Sequence, residues 1–282
     1  MKRAYWKCAR VRWNSDVLSM KSELKNLNNW RSLIRVFRVC VHPLRFLAAF
    51  LQGRTLSEVV LRTPVGKVHV KLRNLESLKT LFSIFCRGDY LTEAGEPFEF
   101  VDVGANIGIA SIYFLSRNRL NRVTCFEPDR ANLAYLEENL SHFKSRSTIY
   151  TCAIGTSACT TTFFRSEDGK YSSLVPSEMA RLPDSVECRN FSDALQEVAS
   201  GELPLVVKLD VEGLEPALVR GVRWIDYPSV TRIICDSVEC SAAVSRRHTR
   251  IIRNGYVEDI RFTESAVEGP LRSRTAAPMA RR

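Results

Sequence analysis

The chain has 282 residues, 45% hydrophobic and 26% charged, enough to bury a sizeable core as one domain plus an appendage, and it shows no internal repeat or low-complexity tract. Its net charge of +10 is unevenly placed: residues 1–57 hold twelve Lys or Arg against Asp16 and Glu23, and the last thirteen residues add four Arg. The body between is mildly acidic, which argues against an enzyme that grips nucleic-acid phosphates around its site.

Met1 to Asp16 is basic and lacks periodicity, so it is expected to be poorly ordered. Its start has no uninterrupted apolar run of the kind a secretory signal needs, and no stretch of the chain is long and uncharged enough to span a bilayer. From Asn29 to Leu51, Arg31, Arg35, Arg38, His42 and Arg45 recur every three or four residues beside Ile34, Phe37, Val41, Leu44 and Leu47. That spacing predicts one basic amphipathic helix, bent near Pro43. Its apolar side can cover the body of the protein or make peripheral contact with an anionic membrane surface.

Val59 to Leu72 alternates on both sides of Pro64 and Gly66 and predicts a β-hairpin, and Leu75 to Cys86 predicts a helix. The informative stretch follows. Phe98 to Val103 is a short apolar run carrying Asp102; Gly104, Asn106 and Gly108 make a tight turn; from Ile107 the apolar period lengthens into a helix. Such a turn lets backbone approach a ligand closely and presents helix N–H groups to an anionic moiety. A dinucleotide fingerprint reads similarly, but Ser111 holds its third glycine position. Asp102 at the strand tip also suits a ligand with a cationic sulfonium and ammonium better than a pyrophosphate.

Arg122 to Phe126 is a second strand ending in Glu127, placed to grip a ribose diol, and Asp129 is placed to open the helix Arg130 to Phe143. Thr148 to Ile154 predicts a third strand, with Ala153 where an adenine ring could lie against backbone. Thr160 to Phe164 reads as an added strand, and Ser166 to Asn190, polar and without pattern, as a mobile substrate loop.

Leu205 to Val211 is the fourth core strand, and its alternation puts Lys208, Asp210 and Glu212 on one side. A lysine in so apolar a run needs a partner; the cluster is either a structural ion pair or chemistry at the ligand-binding sheet edge. Ala217 to Val222 is read as a short helix, Thr231 to Asp236 as a fifth strand, Ala242 to Asn254 as a helix closed by Gly255, and Tyr256 to Phe262 as a sixth strand. Strands alternating with helices specify an α/β fold with a doubly wound, mainly parallel sheet. The nine cysteines form no C-x-x-C pair or zinc-like spacing, and Cys125, Cys152 and Cys235 fall in strands; free, buried thiols point to a reducing, cytoplasmic location.

With FVDVGANIG, FEPD, AIG, YSSL and VKLDVEGLEPALVRG in this order, the chain resembles the FkbM-type methyltransferase family from about Val59 to Phe262. The resemblance implies a Rossmann-like class I methyltransferase sheet over 57–262; from their own residues, 1–56 reads as a basic helical extension and 263–282 as a disordered basic tail. The resemblance also implies S-adenosyl-L-methionine as cofactor and O-methylation of a hydroxyl on a sugar, glycolipid or secondary metabolite. Carried over by position, Asp102, Gly104, Asn106, Gly108, Glu127 and Ala153 would bind the cofactor, Lys208, Asp210 and Glu212 would be catalytic, and Ser172 and Ser173 would lie by the substrate. Asp236 stands where a glutamate is more usual. No antiparallel last strand is legible after Thr263. Deprotonation of the acceptor is expected from a carboxylate, Glu212 ahead of Asp210, with a magnesium-bound alkoxide as the other route. A nicotinamide-dependent reductase would need a Tyr-x-x-x-Lys that is absent. An RNA ribose methyltransferase and a non-catalytic membrane-associated protein retaining the fold are the remaining rivals.

Overall fold

The structure, a computed structural model, describes residues 29–90, 92, 95–237, 239–244, 249–254 and 257–262. The expectations for 1–16 and 263–282 lie outside them. Two helices, α1 (Asn29–Val39) and α2 (Pro43–Gln52), precede a hairpin of β1 (Glu58–Thr63) and β2 (Gly66–Lys71). Helix α3 (Leu75–Leu81) follows, capped by the Asn74 side chain and continued by a π-helical turn, Phe82–Arg87. The chain then runs through β3 (Glu99–Val103), α4 (Ile109–Leu115), β4 (Arg122–Phe126), α5 (Arg130–Leu140), β5 (Ser147–Tyr150), β6 (Ala153–Gly155), β7 (Cys159–Ser166) and β8 (Ala180–Asn190). It ends with α6 (Phe191–Ala199), β9 (Leu205–Leu209), α7 (Glu215–Arg220), β10 (Val230–Cys235), α8 (Cys240–Ala243), β11 (Thr249–Asn254) and β12 (Val257–Phe262).

Seven strands form the central sheet in the order β11-β12-β10-β9-β3-β4-β5. All neighbours are parallel except β12, which runs antiparallel to both β10 and β11. The antiparallel last strand is therefore present, and it is Val257–Phe262. The helix expected over 242–254 is corrected: among the described residues there only Cys240–Ala243 is helical, and Thr249–Asn254 pairs with β12 in full register. Side chains set that insertion. Asp259 of β12 takes two hydrogen bonds from Arg232 of β10, at 2.7 and 3.0 Å, and buried Glu258 accepts from the backbone and hydroxyl of Ser241.

Alternation along each strand gives the sheet two apolar faces. Phe100, Val123, Cys125, Val206 and Ile234 point to the side covered by the N-terminal helices, the hairpin and α4. Val101, Val103, Leu205, Val207 and Ile233 point to the side of α6 and α7. Cys125, Cys152 and Cys235 are buried, as expected of small apolar residues.

Three further expectations change. The basic helix is not one bent rod: it stops at Val39, Cys40 bridges Leu61, and Pro43 starts a second helix, because a proline at the first helical position needs no N–H partner. The third strand is shared between sheets, Ser147–Tyr150 in the large one and Ala153–Gly155 in a three-stranded sheet of order β6-β8-β7. And 166–190 is not a loop throughout, since Ala180–Asn190 is an eleven-residue strand paired with β7. No helix among the described residues is long and apolar enough to cross a membrane.

Candidate active site

The sheet reverses its winding between β3 and β9, and a cleft opens at the carboxyl ends of these two strands, where open α/β sheets bind ligands. The Gly104 turn brings the chains into contact there. Gly104 has φ of 79°, and a Cβ on it would lie 1.9 Å from the Asp210 carbonyl oxygen, so only glycine lets the first turn and the end of β9 approach. Gly108, also left-handed, starts α4 close enough that a Cβ would lie 2.6 Å from Leu136. Gly108 thus packs α4 against α5 and does not line the cleft.

Lys208 forms the floor. Its ammonium sits 3.1 Å from Asp102 Oδ1, 3.2 Å from Asp210 Oδ2 and 3.0 Å from the Gly104 carbonyl. Burial opposes this charge, but Asp102 and Asp210 outweigh it and hold the Lys208 pKa well above its ordinary value. Asp102 is fully buried and also accepts from Ser111 Oγ at 2.6 Å. Expected to bind the cofactor, Asp102 does not line the cleft; it bonds Lys208, which does.

Glu127, at the tip of β4, lines the opposite half of the cleft. Its Oε2 accepts from the Asn106 amide at 2.7 Å and its Oε1 from the Asp129 amide at 2.8 Å. Burial pushes its pKa up to about 7, partly offset by those two donors. Asp129 opens α5 as expected, accepting from the Ala131 amide at 2.8 Å. Asn106 takes a left-handed backbone and, with Asn132, donates to the Gly169 carbonyl at 2.9 and 3.0 Å, so the turn after β7 is strapped over this end. Ala153 lines the same side.

Glu212 lies at the other end. It too is left-handed, with φ of 56°. Burial first, then Asp210, Asp236 and Glu215, push its pKa up to about 8; Asp236 rises to about 6 by burial and Asp210. Ser172 and Ser173, expected by the substrate, both line the cleft and also bond the backbone. Ser173 Oγ reaches the carbonyls of Val211 and Glu212 at 3.0 and 2.9 Å, and Ser172 Oγ accepts from the Ser166 amide at 3.0 Å.

Two residues escaped the sequence reading. Buried Glu215 accepts from the Val211 and Gly213 amides at 2.7 and 3.0 Å, fixing the turn that carries Glu212; its signal was an acid at the first turn of a helix. Tyr90 lines the cleft, and burial raises its hydroxyl pKa; nothing in its local pattern marks it. Among the described residues no group of three or more His, Cys, Asp or Glu is arranged to hold a metal ion.

The cleft is open to solvent and is lined on one side by the Gly104 turn and Glu127 and on another by Asp210, Glu212 and Asp236. Its donor set fits S-adenosylmethionine: Glu127 at one end, close backbone at Gly104 and Ala153, and the Asp210 carboxylate towards the other.

A profile of the methyltransferase FkbM domain matches residues 102–242, half of the chain. Methyltransferase sdnD of Sordaria araneosa is 27% identical over 195 residues, which cover 58% of this chain and 74% of that protein. Methyltransferase 1 of Beauveria bassiana (strain ARSEF 2860) is 25% identical over 160 residues, covering 49% and 64%. Among solved structures, methyltransferase FkbM from Methylobacillus flagellatus KT aligns at 16% identity with a TM-score of 0.43, covering 66% of this chain and 54% of that one. The chain thus spans just under two thirds of the Beauveria protein and about half of the Methylobacillus chain. It belongs to the FkbM methyltransferase family.

Proposed function

We propose that the protein methylates a hydroxyl oxygen of a sugar, a glycolipid or a secondary metabolite. The observation that carries this reading is one cleft lined both by Lys208, held by Asp102 and Asp210, and by Glu212, whose pKa burial and the neighbouring acids Asp210, Asp236 and Glu215 push up to about 8. An alcohol is a poor nucleophile until its proton leaves, and a base titrating near neutrality takes that proton efficiently.

S-adenosylmethionine supplies a methyl group on a cationic sulfur, transferred by in-line displacement to the acceptor oxygen. The protein's share is position and proton transfer. Glu127 holds the ribose hydroxyls, with acceptor capacity remaining on each oxygen beyond the amides it already binds. Gly104 and Ala153 admit the ligand against backbone. Asp102 acts through Lys208, which keeps Asp210 extended beside the methyl-bearing end. Glu212 removes the hydroxyl proton as the new C–O bond forms, and Ser173 and Glu215 keep it in place.

The test is transfer of labelled methyl from S-adenosylmethionine into aqueous and lipid extracts by the purified protein. A methyl ether survives mild alkali, whereas a methyl ester releases methanol. Alkali-stable label in a small molecule or glycolipid supports the reading. Alkali-labile label, or label only in RNA, overturns it, the latter in favour of ribose methylation; no label in any fraction leaves a non-catalytic protein that kept the fold.

A further inference from the structure

The break at Cys40–His42 gives the first two helices a surface that the methyl-transfer chemistry does not use. At 3.6 residues per turn, Ser32 and Val36 fall on the side of α1 that packs onto the body; both are buried, as is Cys40 just beyond the helix. Trp30, Ile34 and Phe37 fall along one line of the opposite half, 57%, 42% and 50% exposed. Arg31 and Arg38 run along the adjacent line. Helix α2 repeats the arrangement: Phe46, Ala49 and Phe50 are buried, while Leu44 and Leu51 are 71% and 39% exposed beside Arg45. A surface helix ordinarily turns its bulky apolar side chains inward. These two helices bury one set and present another.

This face is a fixed platform. Arg62 of β1 donates to the Cys40 and Val41 carbonyls at the end of α1, the Val41 amide bonds the Val60 carbonyl at 2.9 Å, and Arg35 donates to the Arg87 carbonyl at 2.9 Å. Behind α1 stands the π-helical turn Phe82–Arg87, whose Ile84 lines the cleft, so one helical layer separates this face from the active site.

Charge identifies what the face meets. No Asp or Glu occurs between residues 24 and 57, while Arg31, Arg38, Arg45 and Arg54 are exposed. A second copy docked here would oppose arginine to arginine, which disfavours a self-complementary interface. A surface that is apolar at its centre and anionic around it satisfies both sets of side chains, and the boundary of an acidic bilayer is such a surface.

We propose that the outward face of α1 and α2 docks on an anionic lipid bilayer, with Trp30, Ile34, Phe37, Leu44 and Leu51 entering the headgroup boundary and Arg31, Arg38 and Arg45 meeting lipid phosphates. The site is independent of the chemistry in the cleft and does not depend on which acceptor is methylated.

The experiment is co-sedimentation of the full chain with vesicles of phosphatidylcholine alone and of phosphatidylcholine with 30% phosphatidylglycerol, at about 0.1 and 0.5 M salt. Binding is expected to the anionic vesicles only and to fall at high salt. Each arginine near a charged surface is worth about a fivefold change, so the combined variant Arg31→Gln, Arg38→Gln and Arg45→Gln should bind roughly a hundredfold more weakly. Ile34→Ser, Phe37→Ser and Leu44→Ser together should also lose binding, with an unchanged melting midpoint showing that the exposed positions do not carry the fold. No pelleting with either vesicle, or equal pelleting with both, overturns the proposal. So does wild-type binding by both combined variants, which would place the contact in the seven Lys and Arg of residues 1–28. A concentration-dependent dimer abolished by the serine variant would also overturn it, in favour of a second copy.

Discussion

The ammonium of Lys208 lies 3.1 Å from a carboxylate oxygen of Asp102, with both side chains all but sealed from solvent. The two residues come from neighbouring parallel strands and stand directly opposite each other in register. Removing one charge strands the other. Lys208→Met should therefore cost about 3–5 kcal/mol of stability, and adding Asp102→Asn should recover part of that loss. Chemical denaturation of the single and double variants checks this; additive losses would mean the pair is not coupled.

Glu212→Gln should lower turnover about a hundredfold to ten-thousandfold while leaving cofactor affinity nearly intact, because the amide keeps the shape but takes no proton. In the wild type, kcat/KM should rise with pH and level off above about 8, where Glu212 is deprotonated. The variant should lose that limb. Near-normal turnover in Glu212→Gln would move the base to Asp210.

The same carboxyl makes a stability prediction. Its pKa rises from the ordinary 4.5 to about 8 on folding, so the native state binds this proton more tightly than the unfolded chain. The contribution of Glu212 to stability therefore falls as pH rises from 4.5 towards 8 and stays lost above that. Glu212→Gln should be more stable than wild type at pH 8.5, by on the order of 1 kcal/mol, and no more stable at pH 4.5. Melting curves at the two pH values decide it.

Ser173→Ala tests the supports. Ser173 bonds the carbonyl of Glu212, whose left-handed backbone needs holding. Turnover should drop about tenfold with little change in cofactor affinity, since a misplaced catalytic group costs rate before binding. A selective loss of cofactor affinity would place Ser173 at the ligand instead.

The glycine turn was legible in the sequence because every local cue agreed: an apolar strand, glycines where backbones meet and an apolar helix period after Ile107. Glu127 and the Asp129 cap followed from position alone. Strand Ala180–Asn190 was hidden because most of its side chains are exposed, so its backbone ladder leaves no apolar alternation to read. Thr249–Asn254 reads as helix in the sequence because adjacent Ile251 and Ile252 fit either period and Gly255 fits a helix end. The indirect role of Asp102 could not be read at all: that a strand-tip acid faces a lysine rather than a ligand depends on a partner 106 residues away.

Calorimetric titration with S-adenosylhomocysteine tests the central claim most directly, because it asks whether this cleft holds the cofactor and whether its two acids divide their work. The account predicts one site of micromolar affinity, roughly −8 kcal/mol, weakened about tenfold to a hundredfold by Glu127→Gln and unchanged by Glu212→Gln. Absence of binding to the folded wild type, with NADH binding in its place, would contradict it.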